Sequence, residues 1–221
     1  MKKIMFDDDY GLTAAVREGR KTVTRRIPSK RLWRQYDISL RGTFGPACVS
    51  MQNEHMRKWM LDHSPYKVGE VVAVSQSYVD IYHDISDFGR KLDFKQQIAD
   101  MYGMPWTEVP ATFNKMFVLA ELMPLRIRIT GARFELMQSI SDEECLREGI
   151  YMHNAAADAL GEDGYKFISY AYDATPGENR KRWWFSTPRN AFAALIDKLN
   201  GKGTWDKNLW NFAFDFELIK T

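Results

Sequence analysis

The most regular pattern in the chain lies at its end. In "WNFAFDFELI", Trp210, Phe212, Phe214, Phe216 and Leu218 take alternate positions, with Asn211, Asp215 and Glu217 between them. A period of two predicts a strand with one buried face. "LRIRIT" alternates in the same way. Ile127 and Ile129 face one side, while Arg126, Arg128 and Thr130 face the other. After Gly131 the alternation resumes with Ala132, Phe134 and Leu136, which predicts two strands or one bulged strand. In "KVGEVVAVSQSY", Gly69 marks a turn. Val71 to Val74 form a short apolar run that suits a buried strand, at a length that does not exclude helix.

Helical spacing is shorter and more scattered. Leu12, Ala15 and Val16 fall at i, i+3 and i+4, with Asp8 or Asp9 as the N-cap and Gly19 at the C-terminal end. Thr22-Val23-Thr24 then favours an extended chain that Pro28 stops. "SDEECLREG" predicts a short helix with a Ser141/Glu144 capping box, Asp142 and Glu143 at the positive end of the dipole, and Gly149 beyond its end. Thr187-Pro188 opens another, with Phe192, Leu195, Ile196 and Leu199 on one face and Gly201 after it. Periodicity is weak near 30–65, 80–112 and 151–185. These read as insertions, with a short helix near Met51 to Leu61 and helical content between Asp93 and Met101. Strands interrupted by short helices predict a compact, barrel-like α+β domain.

Composition narrows the class. With 45% hydrophobic and 14% aromatic residues among 221, there is material for a packed core. No stretch approaches the roughly 20 apolar residues of a membrane span. "MKKIMFDDDY" meets three aspartates where a signal peptide needs its apolar region, so a soluble cytoplasmic protein without a membrane partner is expected. Cys48 and Cys145 are far apart and support neither a disulfide framework nor a cysteine zinc site. Small buried side chains are expected at both. His55, His63, His83 and His153 lack metal-ligand spacing, so no metal or cofactor is expected.

The net charge is only +2, but its distribution is uneven. Arg17, Arg20, Lys21, Arg25, Arg26, Lys30, Arg31 and Arg34 share one segment in which Glu18 is the only acid. Such a face either meets phosphate or is simply solvated. Within it, "GRKTVTRR" (residues 19–26) reads as a charge run, a phosphate cradle, or a Lys/Thr pair set up for chemistry.

Four stretches together resemble one family. "GRKTVTRR" resembles the Gly-x-Lys-Thr-x-Thr-Arg signature of ASCH domains, members of the PUA-like superfamily. "YKVGEVVAVSQSY" is similar to their glycine turn and strand. "LMPLRIRIT" followed by "LMQSISDEECLREGI" is similar to their Met-Pro…Arg-Ile strand and Glu-Gly-Ile helix. "FAALIDKLNGKGTWDKNLWNFAFDFELI" is similar to their terminal helix, Trp turn and closing strand. The resemblance implies a small β-barrel with peripheral helices and long insertions. It also implies a cleft where the Lys-Thr signature meets the strand after Gly69. Its function would be recognition of RNA or a modified nucleoside, or removal of an acyl group from a cytidine derivative by a lysine, a threonine and a glutamate.

Carried over by position, Lys21 and Thr24 match the catalytic lysine and threonine. A neutral lysine can take a threonine proton as the hydroxyl attacks an amide carbonyl. Gln76 stands where the family glutamate would be. An amide cannot serve as a base, although it can pair with a base edge. That departure favours binding over catalysis, with Arg20, Thr22, Arg25, Arg26, Gln76 and Arg128 as candidate ligand contacts. Trp183-Trp184 beside Arg180-Lys181-Arg182 reads either as a base-stacking loop or as half-buried packing. Three functions follow: binding of RNA or a small nucleoside, deacylation of a cytidine, or an accessory protein-interaction role. The sequence leaves the oligomeric state open.

Overall fold

A computed structural model of the chain describes residues 1–40, 49–153, 164–166 and 185–219. The structure is mixed α/β. One sheet has five strands in the order β1 (Lys3–Ile4), β3 (Val71–Val74), β4 (Arg126–Leu136), β7 (Trp210–Ile219) and β2 (Val23–Arg26). β1 and β3 are parallel, whereas β3–β4 and β2–β7 pair antiparallel. β5 (Tyr151–His153) and β6 (Gly164–Lys166) form a separate two-stranded sheet. The five-stranded sheet is open: β1 and β2 are its edges, and the barrel closure implied by the resemblance is not made. Edges of two and four residues offer little ladder for closure.

β7 follows its alternation only in part. Phe212, Phe214 and Phe216 are each at most 4% exposed, as period two predicts. Asn211 and Ala213 are buried as well. β7 is an inner strand, covered on both faces in this stretch, so the polar-outward half of the pattern fails there. Asn211 Nδ2 donates to the Glu135 carbonyl at 3.0 Å. β4 is a single strand of 11 residues. Its buried positions are odd-numbered at Ile127 and Ile129 and even-numbered at Phe134, so the inward face changes around Gly131.

The helices show which local signals survive folding. α1 (Leu12–Arg17) buries Leu12, Ala15 and Val16 as predicted. Neither expected aspartate caps it: Gly11 holds the N-cap position with φ 65°, and Asp8 accepts the Thr13 hydroxyl instead. α6 (Asp142–Arg147) makes half of its capping box. Ser141 Oγ accepts from Glu144 N at 3.1 Å, while the Glu144 carboxylate turns to two arginines. α7 (Pro188–Asn200) starts with the predicted Thr187 cap and buries Phe192, Leu195 and Ile196, but Leu199, in its last turn, is exposed.

Two helices occupy the first weakly periodic segment, α2 (Lys30–Leu40) and α3 (Val49–Asp62). Among α2 residues only Tyr36 is fully buried, too narrow a stripe to stand out as a period. α4 (Tyr78–Asp84) has a Ser77/Asp80 capping box, and α5 (Phe88–Tyr102) is longer than the stretch expected from 93 to 101.

The chain divides into two compact units. The first holds residues 1–6, 71–128 and the end of the chain from 218. Its core gathers Ala73, Tyr78, Ile81, Ile98, Val118 and Met123, flanked by Phe94 and Trp106. The second holds residues 7–70 and 129–217. There Phe134 packs on Trp33, Trp210 and Phe212, and Tyr36 packs on Trp59. Among the described residues no helix is long and apolar enough to cross a membrane. Cys145 is buried. Cys48, Trp183, Trp184 and the basic run Arg180–Arg182 lie outside the described residues.

Candidate functional site

The Lys-Thr signature is held between two helix ends. Past α1 the chain turns at Gly19, φ 73°, and Lys21 N donates to the Ala15 carbonyl at 2.9 Å. Thr22 N donates to the Arg147 carbonyl at the end of α6, at 2.8 Å. Gly149 follows α6 with φ 104°, where a Cβ would stand 3.7 Å from Lys21 Cδ and 3.4 Å from Ala15 Cβ. The fit leaves Lys21 2% exposed. Its ammonium donates to Glu148 Oε2 at 2.6 Å and to the Glu148 carbonyl at 2.7 Å.

Glu148 also holds Arg25. The buried Arg25 guanidinium reaches Glu135 at 2.7 Å, Glu144 at 2.8 Å and Glu148 at 3.2 Å. The network continues outward through Arg133, which contacts Glu144, and Asp215 at 3.1 Å. Arg147 reaches the other Asp215 oxygen at 2.6 Å. Lys21, Arg25, Arg133 and Arg147 are thus set against Glu135, Glu144, Glu148 and Asp215, with charges in balance. A buried charge is tolerated when it is paired in this way.

Burial and ion pairing together shift Lys21 and Arg25 in opposite directions. Burial lowers the Lys21 ammonium below the usual lysine value, against the pull of Glu148, and the nearby Arg26 and Arg25 add to the lowering. Burial also acts to lower Arg25, but Glu148, Glu135 and Glu144 outweigh it and raise the guanidinium further. Burial pushes the Cys145 thiol up to about 12.

Of the remaining predicted residues, Thr22 meets the network through Arg147 and Arg26 lies near Lys21. Thr24 is buried in β2 opposite Phe214, and the partly buried Arg26 is opposite Phe212. Thr22 Oγ1 accepts from Arg147 at 3.1 Å. Arg20 is exposed, reaches Glu18 at 2.6 Å and lies over the Tyr151 ring. Gln76 belongs to the first unit, where it is buried. Its Nε2 donates to Asp84 at 2.8 Å and its Oε1 accepts from Leu125 N at 3.1 Å. Arg128 is an exposed strand residue opposite Val71.

Sequence reasoning missed the acids. Glu148 was in view as the glutamate of "REGI" but had no role assigned. Arg133 and Glu135 fall between the alternating Ala132, Phe134 and Leu136 and carried no reading of their own. The contact of residue 21 with residue 148 joins positions 127 apart, and no local period reports it. The basic segment is therefore divided: Lys21 and Arg25 are buried and paired, while Lys30, Arg31 and Arg34 are exposed on the first turns of α2. That first turn holds no acid.

No known family, curated protein or solved structure matches this chain.

Proposed function

We propose that this chain is an ASCH-type, PUA-like domain that binds single-stranded nucleic acid, RNA in particular, through the start of α2. The observation that carries the reading is the division of the basic segment. Cations at the N-terminus of a helix oppose its dipole, a cost of about 0.3–1 kcal/mol each that a bound anion offsets. Lys30 and Arg31 are exposed in such a place, with Arg34 exposed one turn further on. Lys21 and Arg25 are occupied by carboxylates and serve the fold that carries this face. Support for the family part comes from the motifs themselves. Lys21 lies in the first, Glu148 in the third and Asp215 in the fourth, and they share one ion network. The test is titration of a labelled single-stranded oligoribonucleotide at low salt. Saturable binding lost in a Lys30→Glu/Arg31→Glu/Arg34→Glu variant is expected. Absence of binding refutes the reading.

A second reading is deacylation of an acylated cytidine, and one observation favours it. Glu148 supplies a carboxylate on Lys21, the role that Gln76 cannot fill. Against it, Lys21 acts here as a donor, and a general base needs a lone pair. Release of cytidine from an acylated cytidine by the wild-type chain, abolished in Lys21→Ala, would establish this reading.

A further inference from the structure

Two lysines of α5 rest on one aromatic ring. Lys91 and Lys95 are four residues apart, so they share a face of the helix. Their ammoniums lie 5.2 and 4.4 Å from the centre of the Tyr82 ring, which α4 carries. Lys95 is also 5.9 Å from the centre of the Trp106 ring, and the two rings are 6.1 Å apart. All four residues are half-buried.

These cations are not matched by acids. Among the described residues neither ammonium has a carboxylate partner. Asp93 is two positions from each lysine and so off their face, and it lines a separate cavity with Asp84, Asp87 and Arg90. Glu108, at the end of the single turn Trp106–Glu108, pairs with neither lysine. The Tyr82 hydroxyl and the Trp106 indole N–H have no hydrogen-bond partner among the described residues. Two ammoniums gathered over one ring repel each other, and an anion between them would offset that repulsion. The rings beneath are fixed. Trp106 packs on Phe94 and Tyr78 at 5.9 and 6.2 Å, and its carbonyl accepts the Thr112 hydroxyl at 2.6 Å.

We propose that Tyr82, Lys91, Lys95 and Trp106 form a second contact for single-stranded RNA, in which the lysines hold phosphates and the rings stack a base. The proposal rests on the nucleic-acid reading above. It adds a site in the first unit, inside the segment 80–112 that none of the resembling motifs covers. Magnitudes favour the exchange that binding requires. A cation over an aromatic face at an exposed site is worth about 0.5–1 kcal/mol. A base stacked on an aromatic side chain is worth about 1–3 kcal/mol. A lysine that swings from ring to phosphate gives up the weaker contact, and the ring face it leaves takes the stronger one. A simple anion would use the lysines alone, whereas a nucleotide uses the rings as well.

The test is titration of a short labelled oligouridylate with the full chain at several salt concentrations. Lys91→Gln/Lys95→Gln, with an unchanged circular dichroism spectrum, should flatten the slope of log K against log salt by about 1.4, at about 0.7 per phosphate contact. Tryptophan fluorescence should be quenched on binding, and Trp106→Phe should lose part of that quench. Wild-type binding with an unchanged slope in the lysine variant overturns this site and leaves the α2 face standing. Binding that survives Lys30→Glu/Arg31→Glu/Arg34→Glu and weakens in the lysine variant supports this site and removes the α2 face. A quench of equal depth in Trp106→Phe shows a plain charge patch and overturns the proposal. An oligouridylate that does not bind at low salt overturns both sites.

Discussion

Lys21 Nζ donates to Glu148 Oε2 at 2.6 Å, with both side chains at most 5% exposed. Breaking one side of a buried pair costs about 3–5 kcal/mol when the other charge is left alone, and because Glu148 keeps Arg25 at 3.2 Å the loss here falls at the lower end of that range. Lys21→Met is expected to lose that much stability in urea denaturation. Lys21→Met/Glu148→Leu should recover most of it, because Arg25 keeps Glu135 and Glu144. A double variant as unstable as Lys21→Met would mean that the carboxylate is not the lysine's principal partner.

Cys145 provides a pH signature. Its thiol titrates from an ordinary value of 9.0 up to about 12 in the folded chain, so between these limits the folded state holds a proton that the unfolded state has lost. Stability from this group therefore falls as pH rises through 9.0. Wild type should lose stability relative to Cys145→Ala in that window, and a difference independent of pH would contradict the assignment. Burial lowers Lys21, which gives the opposite slope below the usual lysine value, and the comparison with Cys145→Ala removes that common term. In a Cys48→Ser background, Cys145 should react with a thiol reagent at neutral pH only after unfolding.

Gln76→Glu should not create an acid–base catalyst. It would set a second carboxylate against Asp84, where Nε2 now donates at 2.8 Å. The expected cost is about 1–3 kcal/mol at neutral pH, and it should shrink as acid protonates the pair. Equal stability of variant and wild type at pH 7 would show that the amide is not held as described.

Gly131→Ala tests the outer half of the ion network. A Cβ there would stand 2.9 Å from Asp215 Oδ2 and 3.3 Å from its Cβ. Asp215 is held by Arg133 and Arg147, so it cannot swing aside without breaking an ion pair. A loss of about 1–3 kcal/mol is expected. Asp215→Ala/Gly131→Ala should cost little more than Asp215→Ala alone.

What could be read from sequence was local. The β7 phenylalanines, the α7 cap and the stop at Gly149 each have their cause within a few residues. What could not be read depended on distant partners. Asp8 is drawn off to Thr13, Glu144 leaves its box for Arg25 and Arg133, and Asn211 is buried because β7 is an inner strand. The basic segment was legible as a cluster, but its division was not. Burial of Arg25 is decided by three acids from 110 to 123 positions away.

Under the proposed function, polyanion binding belongs to the exposed α2 cations and not to the buried Lys21–Arg25 cluster. The most direct measurement is the salt dependence of binding to a single-stranded oligoribonucleotide, for wild type and for Lys30→Gln/Arg31→Gln/Arg34→Gln. Each phosphate contact on a single strand contributes about −0.7 to the slope of log K against log salt. Loss of three contacts should flatten the slope by about 2 and weaken binding at low salt. An unchanged slope in the variant, or no wild-type binding at low salt, would rule out α2 as the binding face.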